Sequence, residues 1–487
     1  MRRTLALLAL ASAWGPSAAP AQSPPEPSPT AITLRPAAEP RPALKYRLVP
    51  ERIKLVPGNA AIFYHRGLQM LAERRTRLDA DQKAKGPPPA RPVPTDEQVS
   101  RWISGPIAEI PPDKARALLE SFGNALKEVE LGAMRTDCDW EFDRRPEGIS
   151  LLLPEIQGMR SLARLVALQA RLAILDGKTD EAMHRIETGL VMGRHIGRGP
   201  ILIQALMGIA IDFVMTRCLE DLIGAPGSPS LYWALADRPR PFIDMREPLE
   251  GERYLLEKEL PGLEELERGP WGLAQARRFA DELQRKVFAF ESGDTDGGPA
   301  QRFGIAAITA KIYPEARRAL IAGGRTEAEV EAMPVVQVAA LYSYGEYRRL
   351  RDESYKWINI PYWQSFDRVE PSDMGSVEQR LANPLLTMFL SLRSNLNALR
   401  MAALRLDRQL DALQCIEAIR LHAAAHGGKL PASLESIVEA PVPLDLATGR
   451  PFSYKVDGDS ATLSAPVPPG GPDHPSYAIR YSLRPAK

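Results

Sequence analysis

The densest apolar pattern in the chain lies between residues 151 and 222. Apolar residues recur there mostly at spacings of three and four, which places them on one side of an α-helix. We therefore predict three consecutive helices. The first runs from about Pro154 to Leu175 and is closed by Gly177, because glycine readily takes the left-handed conformation that ends a helix. Thr179 or Asp180 suits the start of the second, since either side chain accepts the first free N–H groups.

The third helix of this stretch is apolar on nearly every side from Ile201 to Val214. A helix of this kind is buried either in a protein core or in a membrane. A membrane span needs about 20 apolar residues, and Gln204 and Asp212 interrupt this run, so we predict a core helix. A buried carboxylate is costly unless it is paired. We expect Arg217 or His195 to pair with Asp212, with a catalytic carboxylate as the alternative.

Helical patterns continue to residue 383, and Pro384–His426 reads as one long helix. The pattern then changes to short alternating stretches. Residues 452–456 and 461–464 flank Asp457-Gly458, which is a hairpin signature, and residues 477–483 alternate as a third strand would. The predicted fold class is therefore mainly α: a multi-helix bundle or array of antiparallel helix pairs, with a small antiparallel β element at the C-terminus.

The first residues have the three parts of a signal peptide. Arg2 and Arg3 supply the positive start, Leu5 to Trp14 is a short apolar core, and Ala19-Pro20-Ala21 is a small-residue cleavage site. We predict cleavage after Ala21 and a periplasmic or secreted protein with no later membrane-spanning segment.

Four segments follow from these patterns. They are the signal peptide at 1–21, a Pro-rich disordered tether at 22–43, an α-helical domain at 44–383, and a C-terminal domain at 384–487 that holds the long helix and the β element.

Charge and motifs exclude several classes of function. The chain has 62 Lys and Arg against 61 Asp and Glu, a net charge of +1, so it lacks the basic excess of a nucleic-acid-binding protein. It contains no GxSxG, Walker A, GxGxxG or CxxC motif. Cys138, Cys218 and Cys415 are odd in number, and we expect buried thiols, although one disulfide is possible in an oxidising compartment.

Two sets of residues offer candidate chemistry. His422 and His426 are four apart on one helix, as in HxxxH zinc pairs, but Ala423 replaces the glutamate of HExxH and no third ligand is evident from the sequence. An aromatic stripe along the predicted helix 335–357 either lines a carbohydrate or peptide groove or packs in the core; it consists of Tyr342, Tyr344, Tyr347, Tyr355 and Trp357. A concave face lined by Tyr342, Tyr347 and Trp363 would favour a hydrolase. We predict no cofactor and no metal.

A third set, the alternating acids of the segment TDCDWEFD, matches the first half of a calcium loop. Phe142 and Gly148 stand where that loop needs its glycine and its bidentate glutamate, so a polar turn is the simpler interpretation. The four acids are Asp137, Asp139, Glu141 and Asp143.

Three resemblances extend this picture. Ala173, Gly177, Glu181-Ala182 and Ile186 resemble a single tetratricopeptide unit, although an ordinary antiparallel helix pair is the alternative. The run from AIRLHAAAHGG to SYKVDGD resembles the second half of pseudopilins, without their apolar stem and methylation motif, so pilus assembly is not implied. The phrases ALKYRLVPE, CDWEF, GPILIQALMGIAI and SLYWALADRPRPFIDMR resemble an uncharacterised family of exported bacterial helical proteins.

These observations favour an exported protein with a protein-binding or scaffolding role in the cell envelope, whose partner is another envelope protein. The first alternative is a periplasmic or secreted hydrolase that uses scattered carboxylates or a metal at His422 and His426. The second alternative, which rests on the pseudopilin resemblance, is a component associated with a secretion system.

Overall fold

The computed structural model describes residues 29–83, 94–141, 149–291, 299–368, 382–391, 396–472 and 474–486. The predicted signal peptide at 1–21 lies outside these residues. The protein is mainly helical with a small C-terminal β element, as predicted. Contacts divide it into two units. We call residues 249–398 the inserted unit, and residues 24–248 together with 399–487 the main unit. The predicted domain boundary at 383/384 falls within the inserted unit.

The helices are named here in chain order. They are α1 Ala60–Lys83, α2 Asp96–Ser104, α3 Pro112–Ser121, α4 Gly123–Ala133, α5 Ile149–Leu175, α6 Thr179–Gly197, α7 Leu202–Gly224, α8 Tyr232–Ala236, α9 Arg246–Arg253, α10 Leu255–Glu259, α11 Leu273–Glu291, α12 Pro299–Ala322, α13 Glu327–Glu331, α14 Val335–Tyr355, α15 Tyr362–Ser365, α16 Pro384–Ser391 and α17 Leu396–Ala425. The predicted long helix 384–426 corresponds to α16 and α17, between which residues 392–395 are not described.

Helices α5, α6 and α7 are the three consecutive helices that the apolar spacing predicts, and each packs against the other two. The crossing of α6 and α7 is close because glycines face each other there. A Cβ atom on Gly208 would lie 2.4 Å from the carbonyl oxygen of Gly193. Any larger residue at Gly208 would therefore push the two helices apart.

Helix α7 is the one helix among the described residues that is long and apolar enough to cross a membrane. Within the protein, 72% of its most apolar window is buried. It lies against α5, α6 and a strand of the C-terminal sheet, in agreement with the prediction of a core helix.

The strands are β1 Thr30–Leu34, β2 Val56–Asn59, β3 Arg135–Asp137, β4 Leu444–Asp445, β5 Arg450–Pro451, β6 Ser453–Asp457, β7 Ser460–Ala465 and β8 Ile479–Pro485. The predicted hairpin is β6–β7, and the predicted third strand is β8, which pairs antiparallel with β7. Two short pairs, β2 with β3 and β4 with β5, stand apart from this sheet.

Strand β1 corrects the prediction of a disordered tether over residues 22–43. It pairs in parallel with β8 and completes a sheet of order β1-β8-β7-β6. Ile32 and Leu34 are buried on one face of this strand. Its residues TAITL alternate and are rich in β-branched side chains, which favour strands, but the surrounding prolines dominate the composition and hide this signal.

The inserted unit has a core of its own. Helices α12, α14 and α16 pack together, and α14 contributes Tyr344 and Tyr347, whose stacked rings contact Phe389 of α16. Buried Gln337 accepts a hydrogen bond from the Trp271 N–H and donates to two carbonyl oxygens, of Leu266 and Gly269. The Gln337 side chain thereby forms hydrogen bonds with backbone groups that have no partner within a helix or a strand.

Candidate functional site

Helix α17 is buried in the main unit although it carries many charged side chains. Those buried are Asp407, Arg408, Asp411, Glu417, Arg420 and His422. Buried charges are tolerated only when they are paired and hydrogen-bonded. Each of these side chains reaches a segment far away in the sequence, and many of the groups they bind belong to loop backbone.

Arg420 shows this arrangement most fully. Its guanidinium donates to the carbonyl oxygens of Arg35, Ser228 and Pro229, at 2.9, 2.8 and 3.3 Å, and it pairs with Glu417 at 2.5 Å. The other Glu417 oxygen accepts a hydrogen bond from the backbone N–H of Leu231. This ion pair therefore holds two loops against α17.

Arg408, which precedes Arg420 in α17, has the same role. It pairs with buried Asp445 at 2.6 Å and donates to the carbonyl oxygens of Pro466 and Tyr477. A third pair joins Asp411 of α17 to Arg238 and Arg240. The buried charges of α17 are therefore structural, because each of these contacts satisfies a group that would otherwise be unpaired.

The C-terminal end of α17 carries a different cluster. His422 and His426 lie beside Glu439, and one ligand atom from each of the three residues lies within 4.8 Å of the other two. No other set of three or more His, Cys, Asp or Glu side chains meets this condition among the residues that the structure describes. Glu439 supplies the third donor group, which the sequence did not reveal because only the tertiary fold brings it to the helix end.

Hydrogen bonds orient the three side chains. His422 Nδ1 lies 3.1 Å from Glu439 Oε2, and His426 Nδ1 lies 3.3 Å from Glu439 Oε1. The two imidazole rings stack with their centroids 4.0 Å apart. His426 Nδ1 also lies 2.9 Å from the carbonyl oxygen of His422. An Nδ1–H donated to that oxygen leaves Nε2 of His426 free to bind a ligand.

Glu439 is held in place by its neighbours. Ile437 and Ala440, on either side of it, are buried, and the Tyr232 hydroxyl donates to the carbonyl oxygen of Pro441. Burial alone would raise the pKa of Glu439, but hydrogen bonds from its own backbone N–H and from His422 outweigh it and lower the pKa. The carboxylate is therefore ionised at neutral pH, as a metal ligand must be.

Neither of the expected partners, Arg217 and His195, pairs with Asp212. Arg217 pairs with Glu220, and His195 Nδ1 lies 2.8 Å from the Tyr64 hydroxyl. Asp212 is completely buried, and neither carboxylate oxygen has a hydrogen-bond partner. Burial therefore raises its pKa well above the usual value, against the attraction of the nearby Arg194 guanidinium.

His195 also lacks the positive charge that would attract a carboxylate. Burial, with Arg198 and Arg194 nearby, lowers its pKa to about 4, so the ring is neutral at pH 7. Trp140 stacks on Tyr64 and donates its indole N–H to the His195 carbonyl oxygen. These contacts make His195 part of a packed core.

The aromatic residues considered for a groove do not share one environment. Tyr347 is buried against Phe389, Tyr342 donates to Glu315, and Trp363 is exposed. Because Tyr347 is covered by its own core, it does not line an open surface. The packing interpretation of this stripe is therefore the one that the contacts favour.

The remaining candidates are the three cysteines and the calcium-like acids. All three cysteines are unpaired. Cys218 and Cys415 are buried, as predicted, and Cys138 is partly buried. Burial raises the pKa of each thiol well above its usual value, so none is a thiolate at neutral pH. Of the calcium-like acids, Asp137 lies in β3, and Asp143 lies outside the described residues.

Comparison of the chain with protein-family models, with curated proteins and with solved structures found no match.

Proposed function

We propose that this protein binds one divalent transition-metal ion of the zinc class at His422, His426 and Glu439. The observation that carries the proposal is the approach of three ligand atoms, two imidazole nitrogens and one carboxylate oxygen, to within 4.8 Å of one another. This donor set suits Zn²⁺, which takes histidine and carboxylate ligands at about 2.0–2.2 Å in tetrahedral geometry.

Binding requires at most a local movement. Two ligands of one such ion lie at most about 4.4 Å apart, which is twice the longest bond, and the three donor atoms already lie within 4.8 Å of one another. His426 is the side chain with most freedom to adjust, because 48% of it is exposed, against 11% for His422 and 19% for Glu439. The fourth coordination position is then open to water or to another ligand.

The ion would join the end of α17 to the loop that carries Glu439. Val438, the neighbour of Glu439, is 85% exposed, an unusual state for a large apolar residue in a loop otherwise anchored by buried Ile437 and Ala440. We propose that the ion fixes this loop as a contact surface for another protein. The exported location and the envelope partner, both expected from the sequence, are the setting of this proposal.

The test is metal stoichiometry and affinity. The purified mature protein, stripped of metal and titrated calorimetrically with Zn²⁺, should bind one equivalent. E439Q and H426A should each weaken binding by at least tenfold, since the removal of even a residue that only supports a ligand costs about 10- to 100-fold. The matched control is H184A, because His184 Nε2 lies 2.7 Å from Glu130 Oε1 in a His–Glu contact without a third ligand.

Absence of stoichiometric zinc binding by the wild type would overturn the proposal. Equal affinity in E439Q and the wild type would also overturn it. Circular dichroism of each variant separates the loss of a ligand from the loss of the fold.

A metal-dependent hydrolase is the second candidate. Two histidines, one glutamate and an open fourth position are the ligand set of several zinc hydrolases, in which the ion activates a bound water. Hydrolysis of ester, peptide or glycoside substrates that disappears on chelation, returns with Zn²⁺ and is absent in H426A would favour it. Zinc binding without any such hydrolysis would leave the protein-binding role.

A further inference from the structure

A cavity of about 360 Å³ opens in the main unit between α1, α2, α3 and α5, away from the histidine cluster in the sequence. This size falls within the range of small-molecule sites, which are mostly apolar with a few convergent polar groups. Its walls have that composition. Their buried apolar side chains are Leu71, Val99, Leu118, Phe122 and Leu165.

Two arginines and one acid line the cavity. Arg75 pairs with Asp96 at 2.9 Å. Arg164 is half-buried and forms no ion pair or hydrogen bond within the part of the chain that the structure describes, although Asp96 attracts it from a longer distance. Because one carboxylate faces two guanidinium groups, the cavity carries a net positive charge.

Arg160 lies one helical turn before Arg164, on the same face of α5, and does not itself line the cavity. Its Nε atom is buried and has no hydrogen-bond partner. Burial lowers the pKa of both arginines. For Arg160 the nearby Arg164 adds to this lowering, and for Arg164 the attraction of Asp96 opposes it while Arg75 adds to it. A buried donor without a partner is costly, and an anion beside these groups would remove that cost.

We infer that this cavity binds a single-chain amphiphile, with its anionic head group at Arg164 and its apolar chain along Leu118 and Phe122. The positive charge favours an anionic ligand. The apolar wall favours a ligand that also carries an apolar chain. The volume of about 360 Å³ suits a small molecule, since ligand pockets are typically about 300–1,000 Å³. This site is independent of the metal proposed at the end of α17.

The test is a set of ligands that separates head from chain. Binding to the mature protein is measured calorimetrically, below the critical micelle concentration, for laurate, dodecyl phosphate, dodecanol, dodecylammonium, acetate and inorganic phosphate. Laurate and dodecyl phosphate should bind saturably at one equivalent. The other four should bind at least tenfold more weakly, because they lack the charge, the sign of charge or the chain. Across shorter carboxylates, affinity should rise about fourfold per methylene until the cavity is full.

The variant that tests the site is R164Q, which should weaken laurate binding about tenfold or more by removing a charge-assisted contact. R101Q is the matched control, since Arg101 is exposed on α2 and does not line the cavity, and it should bind laurate as the wild type does. Unchanged affinity in R164Q would overturn the inference. So would equal binding of dodecanol and laurate, or acetate and phosphate binding as tightly as their long-chain forms. Unfolding curves of both variants confirm that the fold is retained.

Discussion

Helices α7 and α17 are both buried in the main unit, yet their buried residues are of opposite kinds. Helix α7 is almost entirely apolar and lies against α5, α6 and β1. Helix α17 buries several arginines and acids, which bind loop carbonyl and N–H groups. The neighbours explain the difference. Helices and strands satisfy their own backbone groups, whereas a buried loop needs partners from elsewhere.

Asp212 is a buried acid of α7 that has no hydrogen bond. Glu220, which the same helix also buries, accepts hydrogen bonds from the Tyr481 hydroxyl and from Gln409. On α17, Asp407 accepts a hydrogen bond from the Phe242 N–H, and Asp411 pairs with Arg238. Asp212 therefore differs from these buried acids in having no hydrogen bond to compensate for its burial.

The largest effect should come from breaking a buried pair on α17. We expect R408M to lower the free energy of unfolding by about 3–5 kcal/mol, because it leaves Asp445 buried without its counter-charge and two loop carbonyls without a donor. Urea unfolding followed by circular dichroism measures this change.

The double variant R408M/D445N tests the cause. If the unpaired charge produces the loss, neutralising Asp445 should restore a large part of the stability. A double variant as unstable as R408M would instead assign the loss to the packing of the arginine side chain.

D212N should have an effect of intermediate size, and it should raise the free energy of unfolding where R408M lowers it. The pKa of Asp212 is raised, so the folded state favours its protonated form. Its contribution to stability is present below the unfolded pKa, near 3.8, and is lost as the pH rises toward the folded pKa. D212N removes this loss and should be more stable than the wild type at pH 7, by about 1 kcal/mol or more.

The pH dependence distinguishes this cause from improved packing. The advantage of D212N should shrink as the pH falls toward 3.8, in urea unfolding at a series of pH values. Asp407, whose pKa burial raises to about 6, contributes with the same sign between 3.8 and 6 and remains in both proteins. D459N, at an exposed position, serves as control and should show no such dependence. An advantage that is constant with pH would contradict this explanation.

The smallest effect should come from a surface pair. Arg116 of α3 lies 2.6 Å from Asp176, with both side chains partly exposed to water. Solvent-exposed pairs contribute about 0–1 kcal/mol, so R116Q should change the free energy of unfolding by less than about 1 kcal/mol. A loss as large as that of R408M would show that distance, and not burial, decides the strength of these pairs.

The helices of the main unit were largely predictable because their information is local. The apolar spacing from 151 to 222 predicted α5, α6 and α7, and Asp457-Gly458 predicted the β6–β7 hairpin. Strand β1 was not predicted, because its partner β8 lies at the opposite end of the chain. For the site, His422 and His426 were recognisable from their spacing of four, whereas Glu439 is separated from them by two glycines and a prolyl turn.

Local patterns in the sequence were sufficient to predict the class of fold, the order of the main helices and the burial of Cys218 and Cys415. These properties follow from hydrophobic periodicity and from short-range turn chemistry, which act over a few residues. The tertiary structure alone decided which acid each buried arginine meets, that Asp212 has no partner, and that a carboxylate stands beside the two histidines. Such contacts join residues distant in the chain, and their energies depend on burial and on pair geometry, which no local pattern records.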